Sequence, residues 1–193
     1  AVNGLLRDVS SEANRAGEII QRLRQMIQRR EPRKVVVRLH TLIKGTLELV
    51  QADLKSKSIQ ICLPAARCDS EVRTDTVQLQ QVILNLISNA ARAVKVLPHD
   101  QHRVSIEATE QNGFAIVTVR NPNSEPVADP TEWFQPFFTT GSHGIGLGLP
   151  ISRRIMTSLG GQLDATVEDH EVAMTLRLPL HSASADSRGA SLG

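Results

Sequence analysis

From Thr76 to Leu97 the chain runs without a glycine or proline, with Asp75 in front and Pro98 behind. Asp75 is a good N-cap and Pro98 a stop, so TVQLQQVILNLISNAARAV is expected to be one long helix. Val77, Val82, Leu84, Leu86, Ile87 and Ala90 leave little polar surface near its middle. Such a helix must be packed into something, and the flanking sequence supplies the layers.

Upstream, VVVRL (35–39) has the β-branched character of a strand, and 40–55 reads as an amphipathic helix with Leu42, Ile43, Leu47, Val50 and Leu54. IQICL (59–63) and EVRTD (71–75) are two further strands. Downstream, 103–110 and 114–120 form a hairpin around Asn112-Gly113, a pair suited to a tight primed turn. Residues 121–147 are mostly loop, a helix covers about 148–158, and Gly160-Gly161 ends it before a last hairpin, QLDATVE and VAMTLRLPL. The expected fold class is an α/β sandwich, one mixed sheet with helices on one face.

Ahead of this domain, residues 2–30 carry two apolar tracks. One runs Val2, Leu5, Val9, Ala16, Ile19, Leu23, Met26, and the other Leu6, Ala13, Ile20, Ile27. Together they suit a bundle or coiled-coil seam that Pro32 ends, so a partner helix is implied. The pattern is already running at Ala1, as expected of a piece of a longer protein. Residues 181–193, HSASADSRGASLG, lack core-forming side chains and are expected to be disordered. The domains therefore read as 1–31, 33–180 and a tail, 181–193.

Composition removes several function classes. No apolar run approaches the roughly 20 residues of a membrane span, so no direct membrane contact is expected. A net charge of +2 gives no global field for nucleic acid. Basic residues gather at Arg22, Arg24, Arg29, Arg30, Arg33 and Lys34, but without interleaved aromatics they read as a solvated helix end. Cys62 and Cys68 lack zinc-site spacing and fit a reduced cytoplasm.

Two features call for chemistry. Asn85 and Asn89 lie one turn apart in the apolar helix, with Arg92 three residues on, so all three share a face. They are either asparagines bonded to neighbouring backbone, or an oxygen-rich face for a hydrated magnesium ion and phosphates. The second feature is FQPFFTTGSHGIGLGLPISRR (134–154), where four of the chain's five aromatics (Trp133, Phe134, Phe137, Phe138) precede a glycine run that leads into a helix. Glycine loops at helix N-termini let backbone N–H groups approach phosphate.

LQQVILNLISNAARAV resembles the N box, FQPFFTT the F box and GIGLGLPISRR the second glycine box of sensor histidine kinases, within the gyrase, Hsp90, histidine kinase and MutL ATP-binding superfamily. Their order and spacing also match, over about residues 33–180. EANRAGEIIQRLRQMIQRREP resembles the second helix of the kinase dimerisation and phosphotransfer bundle.

The resemblance implies a Bergerat-type ATP-binding fold using ATP and Mg²⁺. Asn85 would ligate the metal, Asn89 would face the phosphates, and Arg92 would stand where a phosphate-contacting cation is usual. Gly144, Ile145, Gly146, Leu147 and Gly148 would supply the phosphate loop. Phe138, Thr139 and Thr140, with Phe137, would belong to a lid anchored by the Phe side chains, and Asn121 would sit at the adenine. His143 is either a γ-phosphate contact or a solvated loop residue. ATP-hydrolysing relatives carry Glu where Asn85 stands; an amide is no general base, so phosphoryl transfer is favoured over hydrolysis.

Three departures stand out. The first glycine box, Asp-x-Gly-x-Gly in the family, reads NPNSEPV here, with Asn121, Asn123 and Glu125 at its key positions. Asn121 keeps an acceptor oxygen without the charge, Asn123 tolerates positive φ and Glu125 does so poorly. Val172 and Ala173 also stand near the place of a late family threonine. The phosphoacceptor histidine is absent: His40, His99 and His170 each fail the His-Glu/Asp…Pro pattern. No catalytic residue is therefore assigned, and this chain alone is not expected to autophosphorylate.

The expected function is Mg-ATP binding and γ-phosphoryl transfer to a histidine on a helix not included here. The expected partners are a second copy through the N-terminal helix and a response regulator receiver domain. The alternatives are a degenerate, non-catalytic module working through dimerisation, or a protein-serine kinase or anti-sigma-type relative.

Overall fold

The computed structural model describes residue 17 and residues 32–63, 70–124, 129–139 and 146–182. The helix expected over 1–31, Gly17 apart, and the tail beyond Ser182 lie outside the described residues.

The long apolar segment is a helix, α2 (Thr76–Val94), and Asp75 caps it as expected. One oxygen of Asp75 accepts from the N–H of Gln78 (3.0 Å) and the other from the N–H of Arg33 (2.9 Å). The other helices are α1 (Leu39–Ser56) and α3 (Gly148–Leu159). The strands are β1 (Val35–Arg38), β2 (Gln60–Cys62), β3 (Glu71–Thr74), β4 (Arg103–Gln111), β5 (Phe114–Pro122), β6 (Gln162–Glu168) and β7 (Glu171–Pro179).

Five strands form a mixed sheet in the order β2-β4-β5-β7-β6, parallel only between β2 and β4. The remaining two do not join it as the sequence suggested. β1 pairs antiparallel with β3, and one bridge, Val72 to Leu180, links this ribbon to the end of β7. Both strands run straight into helices, at the caps Arg38 and Asp75.

Alternation along the strands separates the two faces of the sheet. Val104, Ile106, Ala115, Val117, Val119, Leu163, Met174, Leu176 and Leu178 are buried on one face. They share a core with Leu79, Val82, Ile83, Leu86 and Ile87 of α2 and Met156 and Leu159 of α3. Each fully buried Leu or Ile contributes about 1.5–3 kcal/mol, which is why this apolar α2 tolerates so few polar residues. The opposite face carries charged pairs such as Arg120–Glu107 (3.9 Å) and Arg103–Glu171 (3.8 Å). Both pairs are well exposed and contribute little.

The turns follow local chemistry. Asn112 (φ 51°) and Gly113 (φ 80°) make the β4–β5 turn, and Asp169 (φ 47°) and His170 (φ 61°) make the β6–β7 turn without glycine. Gly160 ends α3 in the left-handed conformation (φ 85°). Gly161 follows against β7: a Cβ there would meet the Arg177 carbonyl oxygen, Met156 Cε at 2.8 Å and Leu178 Cδ2 at 2.9 Å. The first of these is backbone and cannot move cheaply. Gly161→Ala is therefore expected to lower stability by about 1–3 kcal/mol. Urea unfolding with an unchanged slope and a lower midpoint would show it.

Candidate functional site

The site is built where α2 meets the start of α3. Gly148 opens α3 and packs on Asn85: a Cβ at Gly148 would lie 2.5 Å from Asn85 Oδ1 and 3.1 Å from its Nδ2. One turn into α3, buried Ser152 accepts a hydrogen bond from Asn85 Nδ2 (2.9 Å). Asn85 is thus bonded to a neighbouring helix and not to its own backbone. With its nitrogen committed to Ser152, the amide presents its oxygen beside the first residue of α3.

Further along the same face of α2, Arg92 donates to Asn89 Oδ1. Asn89 is half-buried and Arg92 exposed. Arg92 and Asn89 thus meet one turn along α2 from Asn85.

The approach to α3 is fixed at Gly146. Its φ is +68°, and a Cβ would strike the Phe138 carbonyl oxygen and sit 2.5 Å from the carbonyl carbon of Phe137. The N–H of Phe137 donates to the Gly146 carbonyl (3.0 Å), so the chain before the loop and the chain after it are pinned together. Leu147 between the two glycines is wholly buried, which anchors the entry to α3. Thr140, Gly141, His143, Gly144 and Ile145 lie outside the described residues.

Among the aromatics, the structure corrects the expected anchor. Phe137 is 65% exposed and itself takes a positive φ of 68°. Phe138 is half-buried and Thr139 exposed. The buried ring is Phe134 (8% exposed), closing a short 3-10 turn, Pro130–Phe134. Asp129 caps that turn. The Thr131 hydroxyl and then its N–H hold the Asp129 carboxyl below the usual carboxylate range.

Asn121 lies apart from these contacts, near the end of β5. It is 4% exposed, and its Nδ2 donates to the Pro122 carbonyl (2.8 Å), which turns the oxygen away from that bond. Asn123 does not take the positive φ its type allows; its N–H donates to the His170 carbonyl (2.7 Å) and carries the β5–β7 ladder one step further. Glu125 lies outside the described residues.

The sequence reading missed Ser152, the partner that orients Asn85. Its spacing of four from Gly148 puts the two on one face of α3, but nothing local says that this face meets Asn85.

Oxygen donors without charge suit a hard cation that arrives already carrying phosphates. Among the described residues no cluster of three His, Cys, Asp or Glu side chains could hold a metal by itself. The Asn85 oxygen fits magnesium as one ligand among those of a bound nucleotide. Among the described residues, no helix is long and apolar enough to cross a membrane.

The Asn-bearing central helix carries the glycine-led second helix docked on it, with the mixed sheet behind both. The chain belongs to the histidine kinase-, DNA gyrase B- and HSP90-like ATPase family, whose model matches residues 74–182. Sensor histidine kinases are among the proteins it is similar to. It is 31% identical over 188 residues to the sensor histidine kinase ZraS of Escherichia coli, covering 96% of this chain and 40% of that protein. It is 32% identical over 173 residues to the sensor protein FixL of Bradyrhizobium diazoefficiens, covering 84% of this chain and 32% of that one. The chain thus spans well under half the length of these relatives.

Among solved structures it resembles the nucleotide-free catalytic domain of histidine kinase ThkA. The TM-score is 0.64 at 25% identity, covering 76% of this chain and 95% of that one. The fold also matches ThkA in complex with its response regulator protein TrrA, with a TM-score of 0.75 at 23% identity over 90% of this chain and 49% of that one.

Proposed function

We propose that the described domain binds Mg-ATP, with Asn85 on the metal and Asn89 and Arg92 on the phosphates. Gly144, Ile145, Gly146, Leu147 and Gly148 would form the phosphate loop, Phe138, Thr139 and Thr140 the cover, and Asn121 the adenine end. In the longer protein, residues 33–180 act as the catalytic domain and 1–31 contribute a dimerisation helix. The γ-phosphoryl group passes to a histidine upstream of this chain and then to a receiver domain, the kind of partner that ThkA has in TrrA. The observation that carries this reading is the placement of Gly148 against Asn85, which brings an amide oxygen to the N-terminus of a helix.

The chemistry asked of these residues is positional. Backbone N–H groups at the start of α3 favour anionic oxygens, and Arg92 offsets phosphate charge. Magnesium, held by Asn85 together with the nucleotide, would supply positive charge to offset that of the phosphates. Asn85 offers no carboxylate to activate water, so ATP is held for transfer and hydrolysis stays slow.

Calorimetric titration of Mg-ATP onto this chain tests the reading: saturable binding is expected, and no binding would overturn it. A longer version restoring the upstream helix, incubated with labelled ATP, is expected to carry label that acid releases and base does not. Acid-stable label would indicate a hydroxyl acceptor and exclude histidine.

A further inference from the structure

We propose that Arg153 is a positioning residue for this site, acting through the buried ring of Phe134. The inference rests on the Mg-ATP reading above.

Arg153 lies on α3, and its guanidinium carbon stands 4.0 Å from the centroid of the Phe134 ring. Its Nη2 is 3.3 Å from Asp164 Oδ1 on β6, and Arg177 of β7 lies 4.0 Å from the other Asp164 oxygen. An exposed Arg–Asp pair contributes little by itself. A planar cation laid on a buried ring is different, because its flat face matches the ring and the ring is shielded from water. Lysine offers the charge but not the plane.

The ring is placed so that holding it matters. From Phe134 the chain turns at once: Phe138 N–H donates to the Gln135 carbonyl (3.3 Å), and Phe137 N–H donates to Gly146 (3.0 Å). Gly146 has no room for a Cβ beside Phe138, and two residues later Gly148 meets Asn85. Contacts joined by short stretches of chain therefore run from Asp164 through Arg153 to Phe134, from Phe137 and Phe138 to Gly146, and from Gly148 to Asn85. Arg153 and Gly148 sit on the same helix, so the stack fixes the aromatic segment to the element that starts at the site. Loosening it lets the Phe137–Phe138 backbone drift from Gly146, and the entry to α3 loses its reference.

The test is calorimetric titration of Mg-ATP onto the chain and its variants, with melting temperatures measured alongside. Arg153→Gln is expected to weaken binding about five- to tenfold. Arg153→Lys should recover part of that loss. Phe134→Leu should weaken binding similarly, and the double variant should be no weaker than the weaker single one, because both remove one contact. Arg153→Gln binding within about twofold of wild type would overturn the inference. Lysine no better than glutamine, or effects that multiply in the double variant, would also overturn it. If Phe134→Leu does not fold, the glutamine and lysine variants decide alone. Wild type that fails to bind Mg-ATP sinks the functional reading itself, whereas wild type that binds beside an unaffected Arg153→Gln sinks only this inference.

Discussion

Asn85→Ala is expected to weaken Mg-ATP binding by roughly ten- to hundredfold while leaving the fold in place. An amide oxygen facing a charged group contributes about 1.5–3 kcal/mol, which sets that range. The fold should survive because Asn85 makes one side-chain hydrogen bond, to Ser152, and is not part of the apolar core. Repeating the titration with ATP and a chelator separates two roles for the residue. If Asn85 acts on the metal, the gap between wild type and variant closes without magnesium. A gap that persists would place the oxygen on the nucleotide and exclude the metal role.

The second large effect is expected at Gly148. Its would-be Cβ lies 2.5 Å from Asn85 Oδ1, so Gly148→Ala has to displace the Asn85 amide. A side chain can yield where a backbone cannot, so the stability cost should be modest. The binding loss should approach that of Asn85→Ala. The double variant Gly148→Ala/Asn85→Ala should bind no worse than Asn85→Ala alone, since the amide that the alanine at 148 displaces is then gone. Multiplicative losses would mean that Gly148 serves the site by some route other than Asn85. Gly146 makes the contrast: its φ of +68° and the backbone of Phe138 leave no room, so alanine there should lower the melting temperature as well as the affinity.

Much of the scaffold for these effects was legible from local chemistry. The Asp75 cap, the length of α2, the Asn112-Gly113 turn and the Gly160 end of α3 follow from side-chain periodicity and backbone freedom. Asn85, Asn89 and Arg92 were recognisable because polar residues in a buried helix stand out, and helical spacing alone puts them on one face. The choice of anchor was not legible. Phe134, Phe137 and Phe138 are identical side chains within five positions, yet only Phe134 is buried. Nothing in the local sequence distinguishes them, because the difference lies in what the fold packs around each ring: Phe134 joins the apolar core, with Arg153 from beyond the glycine loop over its face.

By itself, then, the sequence determined where the helices and hairpins start and stop, and which residues could form an oxygen-rich face. Those properties depend on neighbours within one or two turns of chain. Tertiary structure alone decided that β1 and β3 leave the main sheet to pair with each other, that Ser152 orients Asn85, and that Gly148 touches it. Asn85 and Ser152 are 67 residues apart in the chain. Their contact exists because α2 and α3 share one core, and no local period encodes how closely two helices dock.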